Sequence, residues 1–106
     1  MATFYNRVVK NVDTAEVVGF TSSSDSTIVL SILVANTDGS ATSDVTVRQN
    51  ASGGTLESYL AYTIPVPADS NLDILSNKYI LPSGKSVSFL ASSSGKLDVT
   101  LSYVEV

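Results

Sequence analysis

Cysteine and histidine are both absent from the 106 residues, and tryptophan is absent too. Without cysteine there are no disulfides, thiolate metal sites or cysteine nucleophiles. Without histidine the chain lacks the commonest general base and transition-metal ligand. Charge is scarce as well: charged residues make up 15% of the chain, against roughly 25% in an ordinary soluble domain. Its place is taken by hydroxyls, with 18 serines and 10 threonines. Six Lys and Arg against ten Asp and Glu give a net charge of -4. The bases Arg7, Lys10, Arg48, Lys78, Lys85 and Lys96 are scattered, so the clustered cations that displace counterions from nucleic acid or hold an anionic membrane surface are missing. No run approaches the ~20 apolar residues of a membrane helix, and MATFYNRVVK has no apolar signal-peptide core, which predicts synthesis in the cytoplasm. The length suits one domain, 1–106.

What is present is alternation of period two. It recurs from about residue 27 to the C-terminus, and no window holds a capped helical pattern. Thr27 to Asn36 reads as a strand with Ile28, Leu30, Ile32 and Val34 on one face. Its other face, Val29, Leu33 and Ala35, is apolar as well, so the strand is expected to be covered on both sides. Asn36-Thr37-Asp38-Gly39-Ser40 predicts a hairpin turn, because Asp-Gly readily supplies positive φ. Ser43 to Asn50 is a half-exposed strand, and Ala51-Ser52-Gly53-Gly54 reverses the chain. In Thr55 to Ile64, Leu56, Leu60, Tyr62 and Ile64 oppose Glu57, Tyr59, Ala61 and Thr63, and Pro65 and Pro67 then stop regular pairing.

Leu72 to Leu75 and Lys78 to Leu81 are short strands, with a turn at Pro82-Ser83-Gly84-Lys85. Val87, Phe89 and Ala91, then Leu97, Val99, Leu101 and Tyr103, alternate with polar residues and predict a closing antiparallel hairpin. Phe4, Val8, Val9, Val12, Val17, Val18 and Phe20 suggest one or two strands within residues 3 to 20, so that residues 1–20 are expected to be an arm or the first strands. Thr21 to Ser26 reads as an exposed loop. Seven or eight short strands with a turn every ten residues or so predict an all-β fold: one antiparallel β-sandwich, jelly-roll or immunoglobulin-like.

Chemistry-bearing motifs are weak. Gly84-Lys85-Ser86 resembles the end of a phosphate-binding loop, but Tyr79 stands where its first glycine is required and no helix follows; Gly95-Lys96 fails likewise at Leu90. Asn50-Ala51-Ser52 has the form of a glycosylation sequon and reads as a turn. Asp69, Asn71 and Asp73 form an oxygen-rich cluster that could ligate Ca²⁺, but they lack EF-hand spacing, and the preferred reading is a solvated loop in which Asp69 or Ser70 caps its own turn. Ser83 and Ser86 around Lys85 are neighbours expected by chance in so serine-rich a chain. No catalytic, cofactor-binding or metal-binding residues are therefore assigned, and no cofactor is expected. Five tyrosines, at 5, 59, 62, 79 and 103, speak more of contacts than of catalysis, and Tyr59 lies opposite the face of Tyr62.

Ile32-Leu33-Val34-Ala35-Asn36-Thr37-Asp38-Gly39, Asp44-Val45-Thr46-Val47, Ile64-Pro65-Val66-Pro67-Ala68, Leu81-Pro82-Ser83-Gly84 and the closing Leu97-Asp98-Val99-Thr100-Leu101-Ser102-Tyr103-Val104-Glu105-Val106 together resemble small β-sandwich virion structural proteins of tailed bacteriophages, of the marine and cyanobacterial phage type. The likeness runs over roughly residues 28 to 106 and consists of structural punctuation. It implies a non-enzymatic virion protein, made in the host cytoplasm and present in many copies: a capsid decoration or cement protein, or a minor capsid protein. The alternatives are a neck, tail or short-fibre component, or a carbohydrate- or receptor-binding module. The partners implied are other virion proteins and further copies of itself, as in a homo-oligomer such as a trimer.

Overall fold

A computed structural model describes residues 2–23 and 26–106. Nine strands follow one another: β1 (Thr3–Val9), β2 (Val17–Thr21), β3 (Ser26–Asn36), β4 (Ser43–Asn50), β5 (Leu56–Val66), β6 (Asn71–Asp73), β7 (Tyr79–Pro82), β8 (Ser86–Ala91) and β9 (Leu97–Glu105). Among the described residues there is no helix. One sheet has the order β1-β9-β3-β6, with β7 pairing the other half of β3, and the second has the order β2-β8-β4-β5. All pairings are antiparallel. Because β1, β3 and β9 alternate between sheets with β2, β4 and β8, nearly every connection crosses the sandwich. This is jelly-roll connectivity, with the sixth of eight positions divided into β6 and β7.

Two expected hairpins are therefore crossovers. β3 and β4 lie in different sheets, and Gly39 is not among the residues with positive φ. The connection is built around buried Asn36 instead: its Nδ2 donates to the carbonyls of Ala41 and Val66, each at 2.9 Å, and its Oδ1 accepts from the Asp38 amide. Lys96 also bonds the Asp38 carboxylate. β8 and β9 likewise belong to opposite sheets, so their apolar faces meet across the core. The residues expected there are nonetheless inside: Val87, Phe89, Leu97, Val99 and Leu101 are fully buried. The expected reversal after Asn50 is a true hairpin between β4 and β5, with Gly53 and Gly54 both at φ 95°. The turn before β8 has Gly84 at φ 85°.

Bulges explain where alternation misleads. In β3 the register shifts between Val29 and Ser31, so Thr27 and Val29 face the core on one side of the shift and Ile32 and Val34 on the other. Ile28 and Leu30 consequently do not share a face with Ile32. In β2 the extra residue is Gly19, which lets Val17 and Phe20 both turn inward. β5 carries register shifts at three places and fully buries none of residues 56–65, although half-buried Leu60 and Ala61 pack against the core; Pro65 pairs Asp44 within the strand, as an edge position allows. β4 is more enclosed than its sequence suggests, with Val45, Thr46, Val47 and Asn50 all buried. The expected 21–26 loop is shorter: Thr21 ends β2, Ser26 begins β3, and buried Ser22 bonds Thr27 through hydroxyls 2.7 Å apart. Ser24 and Asp25 lie outside the described residues.

Candidate interaction surfaces

The sequence motifs are not assembled into a reaction centre. Lys85 is held by both carboxylate oxygens of Glu57, at 2.8 and 2.9 Å, and Ser86 is buried. Gln49 also donates to Glu57, while the Tyr79 hydroxyl donates to Gln49 at 2.7 Å, so this group ties β7 of one sheet to β4 of the other. Burial, followed by the nearby Glu57 charge, pushes the Tyr79 hydroxyl up to about 12. Asp69, at φ 60°, and Ser70 form a tight turn in which Ser70 bonds the Pro67 carbonyl, beside an open cleft also lined by Asn36 and Asn71. Among the described residues no group of three acidic, histidine or cysteine side chains could hold a metal ion.

Several of the large exposed side chains lie on the outer sheet faces. On the five-stranded sheet, pairing places Phe4 beside Val104, Val104 beside Ile28, and Ile28 beside Ile80. This apolar row crosses β1, β9, β3 and β7. Its interior member Val104 is buried by its neighbours, whereas its ends, Phe4 at 72% and Ile80 at 63%, are open to solvent. A parallel row runs Val8, Thr100, Leu33, Asp73. The expectation that β3 is covered on both faces is thus half met: one face is core, and the other carries Leu33 at 40% exposure without a second layer.

On the four-stranded sheet, Arg48 pairs Ser88 on one side and Tyr59 on the other. The Arg48 guanidinium lies 5.9 Å from the Tyr59 ring, and Tyr59 meets Tyr62 edge-on at 4.7 Å. These tyrosines, expected on opposite faces, share one because β5 is bulged between them. Glu16 anchors the cluster, accepting from Ser88 and from Asn50 at 2.8 Å and pairing Arg48 at 3.3 Å. Those bonds, led by Ser88 and Asn50 and aided by the Arg48 charge, hold its carboxyl below the ordinary range. A second aromatic group links the sheets: inside the sandwich Phe20 stacks on Tyr103 at 4.2 Å, and the exposed Tyr5 stacks on Tyr103 at 5.2 Å.

β1 and β5 close opposite ends of the two sheets. β1 pairs β9 through seven residues without a register shift, so its free side is a regular row of backbone donors and acceptors. β5 has its three bulges, which twist such an edge away from neighbours. Sequence reasoning did not find the outer rows, whose signal was the apolar second face of β3 together with Phe4, Val8 and Ile80.

No protein-family model matches the chain, and no curated protein matches it by sequence. Solved structures do. A chain from Bacillus endospore appendages, a family of disulfide-linked pili, has a TM-score of 0.59 at 13% identity, covering 99% of this chain and 88% of that one. The VP2 subviral particle of infectious bursal disease virus gives 0.56 at 9% identity, and the Gx strain of the same virus 0.55 at 12%. Each virus match covers 98% of this chain, which spans about a third of those chains, 33% and 32% respectively. At such identities the likeness is one of fold: an antiparallel jelly-roll sandwich.

Proposed function

We propose that the chain is a non-enzymatic structural subunit of a tailed-bacteriophage virion, made in the host cytoplasm, which decorates or cements the capsid through contacts with capsid subunits and with its own copies. The observation that carries this reading is the apolar row from Phe4 to Ile80, an outer sheet face whose exposed ends call for protein cover. The fold shared with a pilus protein and with virus particles supports it, as does the phage-like sequence punctuation. Unlike the pili, this chain has no cysteine, so its assemblies are held without disulfides. Mass spectrometry and cryo-microscopy of purified particles from the encoding phage test the reading. The expected result is the chain in many symmetric copies on the capsid; its absence from particles overturns the proposal.

A second reading, a carbohydrate- or receptor-binding module on a neck, tail or short fibre, draws on the Tyr59–Tyr62 pair beside Arg48. Aromatic faces of this kind stack on sugar rings. Glycan-array binding lost in Tyr59→Ala and Tyr62→Ala would favour it over the capsid role.

A further inference from the structure

We infer that copies of this chain join head to tail, the β1 edge of one copy pairing the β6/β7 edge of the next, so that the five-stranded sheet continues from subunit to subunit. This rests on the structural-subunit reading and names its self-contact. Three observations lead to it.

The first is strand direction. β1 is antiparallel to β9, β9 to β3, and β3 to both β6 and β7, so the two edges of the sheet run in opposite directions. A second copy moved along the sheet without being inverted therefore brings its β1 antiparallel to β6 and β7. The alternation is preserved at the joint. β6 and β7 follow β3 on either side of its bulge, and the Ile74 amide bonds the Ile32 carbonyl at 2.9 Å, so this edge extends as 71–74 and 79–82 with a short looped segment between.

The second is the apolar row. Phe4 and Ile80 are on the same level of the sheet and at its opposite edges, because each is linked to it through Val104 and Ile28. In the continued sheet Phe4 of the incoming copy stands directly across from Ile80, and the row passes unbroken through the joint. Both exposed ends are covered by one contact.

The third is charge. Residues 2–12 hold Arg7 and Lys10 and no acid, whereas 67–75 hold Asp69 and Asp73 and no base; Lys78 stands in the looped segment beyond. None of Arg7, Lys10, Asp69 and Asp73 forms a salt bridge among the described residues. Since Val8 and Asp73 also share a level, the incoming Lys10 comes opposite Asn71 and diagonal to Asp73, within reach of a long side chain. A heterologous joint of this kind closes into a ring such as a trimer, or extends as a filament, according to the rotation between copies.

Two exposed positions test it. Phe4→Glu blocks one edge and Ile80→Glu the other, and circular dichroism with thermal melting confirms that both variants fold. Sedimentation of the full chain across a concentration series is expected to show oligomers for the wild type, at least tenfold weaker self-association for each variant alone, and a dimer but nothing larger in an equal mixture, where each variant supplies its intact edge. Three results would overturn the inference: a wild type that stays monomeric throughout, an Ile80→Glu chain that assembles like wild type, as a two-fold β1-to-β1 contact would allow, or a mixture that remains monomeric. Because presence in particles is measured separately, a chain found in virions whose variants fail to complement refutes the joint alone.

Discussion

Phe89 and Gly19 provide a stringent test of the packing. Phe89 is fully buried, and a Cβ built on Gly19 would lie 2.5 Å from its Cε2 and 3.3 Å from the Val87 carbonyl oxygen. The ring occupies the space a side chain at the β2 bulge would need. Phe89→Ala should cost about 3–5 kcal/mol, as large-to-small core changes do. That is a large share of the roughly 5–15 kcal/mol available to a domain of this size. Gly19→Ala alone should cost about 1–3 kcal/mol by overpacking, since the ring is confined and the carbonyl belongs to the backbone. With Phe89→Ala in place the ring clash is gone, and the same methyl enters the cavity. The second substitution should then be nearly neutral, a coupling of about 1–3 kcal/mol. Urea unfolding followed by far-ultraviolet circular dichroism measures all four corners of the cycle. Additive costs, or a Phe89→Ala protein as stable as wild type, would refute this account of the core.

Acid should weaken the fold at the β3–β4 crossover. The Lys96 bond, with those from the Ser40 amide and hydroxyl, lowers Asp38 from its ordinary 3.8 to about 2. A carboxyl depressed in the folded state contributes stability that is full above its unfolded value and is lost as pH falls through the folded one. Stability should therefore fall between pH 3.8 and about 2, less steeply in Lys96→Met, as read by melting temperature against pH. Asn36→Ala removes three hydrogen bonds and strands the carbonyls of Ala41 and Val66; the cost should be about 2–4 kcal/mol by chemical denaturation, and an unchanged midpoint would contradict it. Tyr5→Ala removes the outer ring of the Tyr5–Tyr103–Phe20 stack, so amide exchange across residues 3–9 should accelerate while that of β8 stays slow. Equal acceleration in both strands would show that the stack is not what docks β1.

The all-β class, most strand positions and the core of the closing strands were legible in the sequence, because period-two alternation records locally which side chains avoid water. Val87, Phe89, Leu97, Val99 and Leu101 are where that pattern puts them. The glycines at 53, 54 and 84 were legible for a similar reason: their turns require positive φ, which is a property of the residue itself. Pairing was not. Val87–Ala91 and Leu97–Tyr103 have the same alternation whether they are neighbours in one sheet or face each other across a sandwich. Only the path of the intervening turn and the distant partners of each strand decide between these. Bulges were equally hidden, since one inserted residue costs the sequence nothing recognisable yet reverses every later side chain. That reversal puts Tyr59 and Tyr62 on one face and separates Ile28 from Ile32. The candidate interaction surfaces depend on both effects. A row from Phe4 to Ile80 joins four strands far apart in sequence, and only the hydrogen-bond register of the folded sheet brings them into line.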